Sequence, residues 1–297
     1  MVHEVKHLLH LENVYQSYGS KLILDNIDLT VSAGELCTVV GPSGCGKSTL
    51  LRLIVGQEQP HSGTVLIEGK SVGIPDKRRG IVYQKYSLFP HLTVLENILL
   101  GKRLTLGSFE WRKQKRQISE EALEFLKKVH LQEHRNKYPH ELSGGMQQRV
   151  SIVQTLIMKP DIVLMDEPFG ALDPETREQL QIFLLELWEN HPMTIFFVTH
   201  NLMEAVYLGT RILVLSHNYS DDRGHAPEVR RGARIVADYP LERVASSTTI
   251  KSSKVFTDLV QQIRKEGFDP KSTTHVSAFN LKHKDSFQTL TPEEHAP

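Results

Sequence analysis

Two stretches carry residue types at spacings suited to polyphosphate chemistry. In Gly41-Pro42-Ser43-Gly44-Cys45-Gly46-Lys47-Ser48-Thr49 the pattern Gly-x-x-x-x-Gly-Lys-Ser is complete. Set between a strand and a helix, such a run curls so that its backbone N–H groups face phosphate oxygens. A helix opening near Lys47 adds the positive end of its dipole. Lys47 would then reach the outer phosphates, and the Ser48 hydroxyl would ligate Mg²⁺. In Ile162-Val163-Leu164-Met165-Asp166-Glu167-Pro168 an apolar run ends in two carboxylates. Asp166, at the strand end, would hold the Mg²⁺, commonly through water. Glu167 would act as general base toward an attacking water.

Ligands of open α/β sheets bind beyond the carboxyl ends of the strands. That rule singles out two further residues. His200 follows the apolar run Ile195-Phe196-Phe197-Val198-Thr199, which sets it beside the terminal phosphate. Gln84 follows the strand pattern Gly80 to Tyr83 and could ligate Mg²⁺ and sense the same phosphate. A lone His is ordinarily structural or exposed, and the strand-end position distinguishes His200; Gln84, seen alone, would be an ordinary surface residue.

The elements that must position these groups are legible in the pattern. Residues 9–31 alternate apolar and polar, as in a hairpin. Glu35 to Val40 is a short buried strand feeding the glycine-rich loop, and Ser48 to Val55 a helix stopped near Gly56. Gly63 to Ile67 gives a further strand. From Thr93 to Met158 the period is helical, with Ile118, Ala122, Phe125, Leu126 and Val129 on one apolar stripe. Ile162 to Met165 and Thr194 to Thr199 are unbroken apolar runs, as in central parallel strands. Glu175 to Glu189 is the crossover helix between them. His217 to Gly232, rich in Asp and Arg, reads as an exposed loop; Gly232 to Asp238 as a strand; Val255 to Ile263 as a helix. From Pro270 the chain is polar and reads as a disordered tail, 270–297.

A third stretch, Leu142-Ser143-Gly144-Gly145-Met146-Gln147-Gln148-Arg149, opens a helix a short way before the Asp-Glu strand. Two glycines at a helix start make a second anion site, which a single ATPase site does not need. Together the three stretches resemble the ATP-binding subunit of ABC transporters, in order over roughly residues 9–240. The resemblance implies an α/β fold of the P-loop NTPase, ABC-ATPase type. Its central, mostly parallel sheet carries an N-terminal antiparallel β subdomain and an inserted helical subdomain at about 90–155. It implies an ATPase domain over 1–240 and a helical extension over 241–269.

In that family two subunits bury two ATP molecules head to tail. By resemblance Ser143, Gly144 and Gly145 contact the γ-phosphate held by the other subunit, and Ala171-Leu172-Asp173 crosses the dimer interface. Gln84 matches the Q-loop, and His200 the switch histidine. Tyr18 matches the aromatic residue that stacks on adenine; a strand aromatic in the core is the other reading. The helical subdomain receives the coupling helix of a membrane permease, which a solute-binding protein serves in turn. Tyr138-Pro139-His140-Glu141, Glu167-Pro168-Phe169-Gly170 and Leu88 to Val94 resemble the bacterial importers. Pro75 to Gln84 and Asp238-Tyr239-Pro240 resemble the nitrate, sulfonate, taurine and bicarbonate group. Met146 departs from the Gln often found fifth in the signature, a change without expected loss of activity.

Composition bounds the alternatives. The 297 residues carry 35 Lys plus Arg against 35 Asp plus Glu, so no nucleic-acid partner is expected. No apolar run approaches the roughly 20 residues of a membrane span, and Met1 to His10 lacks a signal-peptide core. The expectation is a peripheral protein on the cytoplasmic face of the membrane, held there by its permease. Cys37 and Cys45 form no disulfide framework. Cys37 reads as strand core, and Cys45 as a small loop residue whose alkylation would block ATP binding and which ATP would protect. The alternative is a soluble ABC ATPase of DNA repair or translation; the chain has neither room for a long coiled-coil insertion nor a second phosphate loop. A P-loop kinase or GTPase would leave the Leu142 to Arg149 stretch unexplained.

Overall fold

The computed structural model describes residues 7–84, 87–191, 193–223, 231–241 and 254–290. The chain divides into two compact units, one of Met1–Pro75 with Thr194–Pro297 and the other of Asp76–Met193.

In the first unit β1 (Leu9–Tyr18) and β2 (Lys21–Val31) form an antiparallel hairpin. β3 (Leu36–Val40) then runs into the glycine-rich loop and α1 (Lys47–Val55). β4 (Ser62–Ile67) pairs with β1, and β5 (Lys70–Ser71) with β4, completing an antiparallel sheet.

The second unit opens with β6 (Arg79–Val82) and α2 (Val94–Lys128), which is broken at Gly107. α3 (Gly144–Leu156), β7 (Ile162–Asp166) and α4 (Pro174–Asn190) complete it. β6 and β7 pair in parallel. The stripe expected from the sequence is the buried face of α2: Ile118, Ala122, Phe125 and Leu126 are all buried, with Val129 just beyond the helix. Phe125 meets Phe183 of α4 edge to face at 5.7 Å.

The chain returns to the first unit through β8 (Thr194–Val198), α5 (Leu202–Leu208), β9 (Arg211–Ser216), β10 (Tyr219–Ser220) and β11 (Arg234–Pro240). α6 (Lys254–Phe268), β12 (Thr274–His275) and β13 (Asn280–Leu281) close it. β3 lies between β8 and β9, parallel to both; β11 runs antiparallel to β9, and β13 parallel to β11. Every residue of β3, β8 and β9 is buried. That burial on both faces is why these strands read as continuous apolar runs rather than alternating ones. Phe256, Val260 and Ile263 of α6 pack with Ile212, Val214 and Val236 in one core cluster.

Two sequence expectations are corrected here. The first is the disordered tail from 270. Residues 270–290 are folded: β12 pairs with β10, β13 pairs with β11, and the following residues strap across β2. Asn26 Nδ2 donates to Thr289 O at 2.6 Å, Asp28 Oδ2 accepts from Thr289 N at 2.5 Å, and Thr30 Oγ1 donates to Asp285 O. Phe287 stacks on His10 at 5.5 Å. The strap also explains why β2 does not alternate: every residue from Leu24 to Val31 is buried, Asp25, Asn26, Asp28 and Thr30 included. Burial raises the Asp28 carboxyl, against the pull of the Asn13 and Thr289 N–H groups. Residues 291–297 lie outside the described residues.

The second correction concerns His217 to Gly232. Among its described residues Asp221, Arg223 and Arg231 are paired with one another and turned inward rather than solvated, while Asp222 stays exposed. Asp221 is buried and accepts from Arg223 Nε at 2.9 Å and Arg231 Nη2 at 2.6 Å. Arg223 Nη2 also reaches Asp25 Oδ2 at 2.7 Å, as does the Tyr219 hydroxyl. Burial alone would raise the Asp221 carboxyl; the two guanidiniums override it and hold it at about 2. A buried charge persists only when partnered in this way. Residues 224–230 of this stretch lie outside the described residues.

A second buried pair fixes the sheet edge. Arg211 is fully buried and donates to Asp238 through Nε at 2.8 Å and Nη2 at 2.6 Å, and to Thr30 O and Glu35 Oε2 through Nη1. Arg211→Met should destabilise the chain by about 3–5 kcal/mol, because Asp238 would stay buried, and Glu35 half-buried, without their cation. Urea unfolding measures it, and a loss below about 1 kcal/mol would mean that the pair is not what holds this edge.

Candidate functional site

The glycine-rich loop sits between β3 and α1, the context its pattern requires. At Gly41 the backbone passes so close to the neighbouring strand that a Cβ would lie 2.2 Å from Leu215 O, so no side chain fits. Gly46 caps α1 without a side chain, leaving the first N–H groups of the helix for a ligand. Lys47 is buried and donates through Nζ to Gly41 O at 2.8 Å and Pro42 O at 2.9 Å. Its ammonium is thus folded inside the loop. Pro42 and Ser48 are half-buried, Ser43 and Gly44 are exposed, and Thr49 faces inward.

Cys45 is buried, and burial raises its thiol pKa above the ordinary value, against the pull of Lys47. A buried, protonated thiol is a poor nucleophile. The expectation that alkylation of Cys45 would report on nucleotide is therefore corrected: the thiol is shielded before any nucleotide arrives. Cys37 is core, as expected, its thiol pushed well up by burial.

Two more expected residues stand in the same unit. Tyr18, at the end of β1, is 43% exposed, which sets aside the core-aromatic reading. Its hydroxyl donates to Glu58 and accepts from Arg52 Nη2 at 3.1 Å, while Arg52 and Glu58 pair at 2.8 Å. Neither Arg52 nor Glu58 was foreseen, and no sequence pattern marks them. His200 is exposed at the end of β8. Asn201 caps α5, its Oδ1 accepting from Met203 N at 3.0 Å and Glu204 N at 3.3 Å, and Thr199 Oγ1 bonds to Glu204. These bonds fix the backbone on both sides of His200. The Asn-x-x-Glu spacing of a helix start could have revealed them.

The second unit holds the remainder. Asp166 ends β7 and is half-buried. Glu167 follows in the left-handed region at φ +49°, a conformation that costs a non-glycine residue about 1–2 kcal/mol. Gln84 Nε2 donates to Glu167 Oε2 at 3.2 Å, so two residues 83 apart in sequence meet. Ser143 caps α3, its Oγ accepting from Met146 N at 3.3 Å, with Gly144 and Gly145 as the first helical residues. Asp173 caps α4 in the same manner, accepting from Thr176 N at 2.9 Å; that N–H holds its carboxyl below the usual range. Arg149, unforeseen, donates to Val129 O at 2.8 Å, and burial lowers its pKa against the pull of Asp173.

Among the described residues one group of His, Asp and Glu offers metal-ligand atoms within 4.8 Å of one another: Glu35, His283 and Asp285. His283 Nδ1 accepts from Asp285 N at 3.3 Å, so Nε2 carries the proton and is unsuited to ligation. Among the described residues no helix is long and apolar enough to cross a membrane.

Comparison with known proteins bears on what these two sets of residues belong to. A family model described as ABC transporter matches residues 24–170. An uncharacterized ABC transporter ATP-binding protein of Methanocaldococcus jannaschii is 48% identical over 70% of this chain and 76% of its own length. The spermidine/putrescine import ATP-binding protein of Nitrosospira multiformis is 41% identical over 77% of this chain and 60% of its own. The aliphatic sulfonates import ATP-binding protein of Bacillus cereus is 41% identical over 67% and 75%. A solved dimeric ATP-binding cassette, in a post-hydrolysis state with ADP and Pi, superposes with a TM-score of 0.63 at 32% identity, covering 79% of this chain and 99% of that one. The chain belongs to the ATP-binding subunits of ABC transporters, and it is an ATP hydrolase of the import type.

Proposed function

We propose that this chain powers an importer for a small anion of the nitrate, sulfonate or taurine kind, working as a homodimer on the cytoplasmic face of a membrane permease that a solute-binding protein supplies. The observation that carries the dimer is the pair of glycine-bearing helix starts, one at Gly46-Lys47 with no side-chain cap and one at Gly144-Gly145, where Ser143 Oγ engages only Met146 N. One such helix N-terminus suits one polyphosphate end; the second becomes useful when it faces the nucleotide of another copy. Ser143, Gly144 and Gly145 would serve that trans contact, with Asp173 at the crossing.

Within a subunit, the loop from Gly41 to Thr49 cradles the phosphates, and Lys47 swings its ammonium from the loop carbonyls to the phosphate oxygens. Tyr18, exposed and hydrogen-bonded at its hydroxyl, presents a ring face to adenine. Ser48, Asp166 and Gln84 would supply the oxygen ligands that Mg²⁺ prefers, and the ion would neutralise phosphate charge. Glu167 takes the proton of the attacking water as the γ-phosphoryl group leaves ADP. His200, exposed on a fixed backbone, bonds the terminal phosphate. Closure around ATP and reopening after hydrolysis move the permease.

The anion class is supported by the sequence likeness from Pro75 to Gln84 and by the sulfonate relative, whereas another relative is named for polyamine import. The test is a pull-down of tagged Glu167→Gln protein from detergent-solubilised membranes. Recovery of a multi-spanning permease is expected, and its genetic disruption should abolish uptake of one labelled anion. Recovery of soluble partners alone would move the function to a non-transport ATPase; a polyamine uptake defect would overturn the anion assignment while leaving the importer standing.

A further inference from the structure

We propose that the break in α2 is a docking face for an anionic lipid bilayer. Gly107, at φ 69° and ψ 171°, interrupts the helix, and a Cβ there would meet nothing within 4 Å. The break is therefore a bend into open space, in a conformation that an L side chain rarely adopts. Large apolar side chains flank it: Leu104 is 74% exposed and Phe109 80% exposed. Apolar side chains this exposed on both sides of one bend suit a contact site.

The surrounding charge is one-sided. Between Lys102 and Arg116 stand Lys102, Arg103, Arg112, Lys113, Lys115 and Arg116 against Glu110 alone, in a chain whose formal net charge is zero. Phe109, Arg112, Lys113 and Arg116 fall at helical spacings of three, four and seven, so one face of the second segment carries an aromatic ring and three cations. Arg116 pairs with Glu120 at 3.0 Å, but both side chains are largely exposed, so water competes for the pair. Trp111 lies half-buried beside them. Cations that meet lipid phosphates, next to apolar groups that enter the acyl boundary, make an interfacial anchor. A nucleic acid would use the cations and the ring but would gain nothing from Leu104, an aliphatic side chain set in the same bend. The anchor is independent of the ATPase chemistry and would add a direct lipid contact to the tether that a permease provides.

The test is flotation of the full chain with phosphatidylcholine vesicles and with vesicles containing phosphatidylglycerol, without nucleotide. Binding to the anionic vesicles alone is expected, with release as salt rises. In an R112E/K113E/R116E variant the partition should fall by at least about tenfold. Leu104→Ser with Phe109→Ser should weaken it severalfold at unchanged charge. In a Trp188→Phe background the emission of Trp111 should shift to the blue on anionic vesicles. Each variant should keep wild-type ATPase activity and melting temperature, which separates lost anchoring from misfolding. Equal binding to both vesicle types, binding unaffected by the substitutions, or capture of an RNA oligonucleotide through this face with no vesicle binding would overturn the proposal.

Discussion

Glu167→Gln should bind ATP as tightly as the wild type, hydrolyse it at least about 10²-fold more slowly, and accumulate as an ATP-held dimer. The amide matches the carboxylate in size and branching, so it imposes nothing new on the left-handed backbone at φ +49°. Its carbonyl oxygen can still accept from Gln84 Nε2, the bond now made at 3.2 Å. What the amide cannot do is take a proton from water near neutral pH. The variant thus separates the base from the architecture around it. Phosphate release measures turnover, calorimetry measures affinity, and size-exclusion chromatography with ATP measures the dimer. Turnover at the wild-type rate would remove Glu167 from the base role. Lost turnover together with lost affinity would mean that the side chain helps to hold the nucleotide rather than the water.

How much of this was legible in the sequence follows from how far each contact reaches. The glycine-rich loop, the helix start at Gly144 and the buried strands were legible because each depends on neighbours a few residues away. Ile162 to Met165 could be assigned as a central strand on its own apolar run, and β7 is that strand. The polar residues of β2 were misread for the opposite reason. Asp28 is buried by Thr289, 261 residues later, and Thr30 by Asp285, 255 residues later. Local polarity looks like solvation until such a partner arrives, and no period in either stretch announces the other. Asp221 is a mixed case: Arg223 and Arg231, which offset the cost of its burial, lie two and ten residues away, but the contact that turns the cluster inward is Arg223 with Asp25, 198 residues earlier. Long reach matters within the site as well: Gln84 and Glu167 were each singled out by a strand end, but their bond is a fact of the sheet. Tyr18 lies between these cases. Its type suited a core strand and an adenine platform equally, and only its exposure separates the two.

Lys47→Ala should lower ATP affinity by at least about 100-fold, the largest binding effect expected of any single substitution in the loop. In the folded chain the ammonium is buried and satisfied by Gly41 O and Pro42 O at 2.8 and 2.9 Å. Each charge-assisted bond of this kind contributes about 1.5–3 kcal/mol. Bound phosphate would replace these carbonyls as partner, so the loop keeps its cation at no desolvation cost beyond the one already met in folding. Alanine removes the cation in both states. Without nucleotide it leaves two carbonyls short of a donor, and a modest drop in melting temperature should follow. With nucleotide it leaves the phosphate charge facing only backbone N–H groups. Lys47→Arg tests whether charge alone suffices: a planar guanidinium with five fixed donors does not match the pocket that the compact ammonium fills, so affinity should not recover. Calorimetry on variants that still unfold cooperatively in urea decides the matter. Undiminished affinity in Lys47→Ala would show that the loop holds phosphate through its backbone and helix dipole alone.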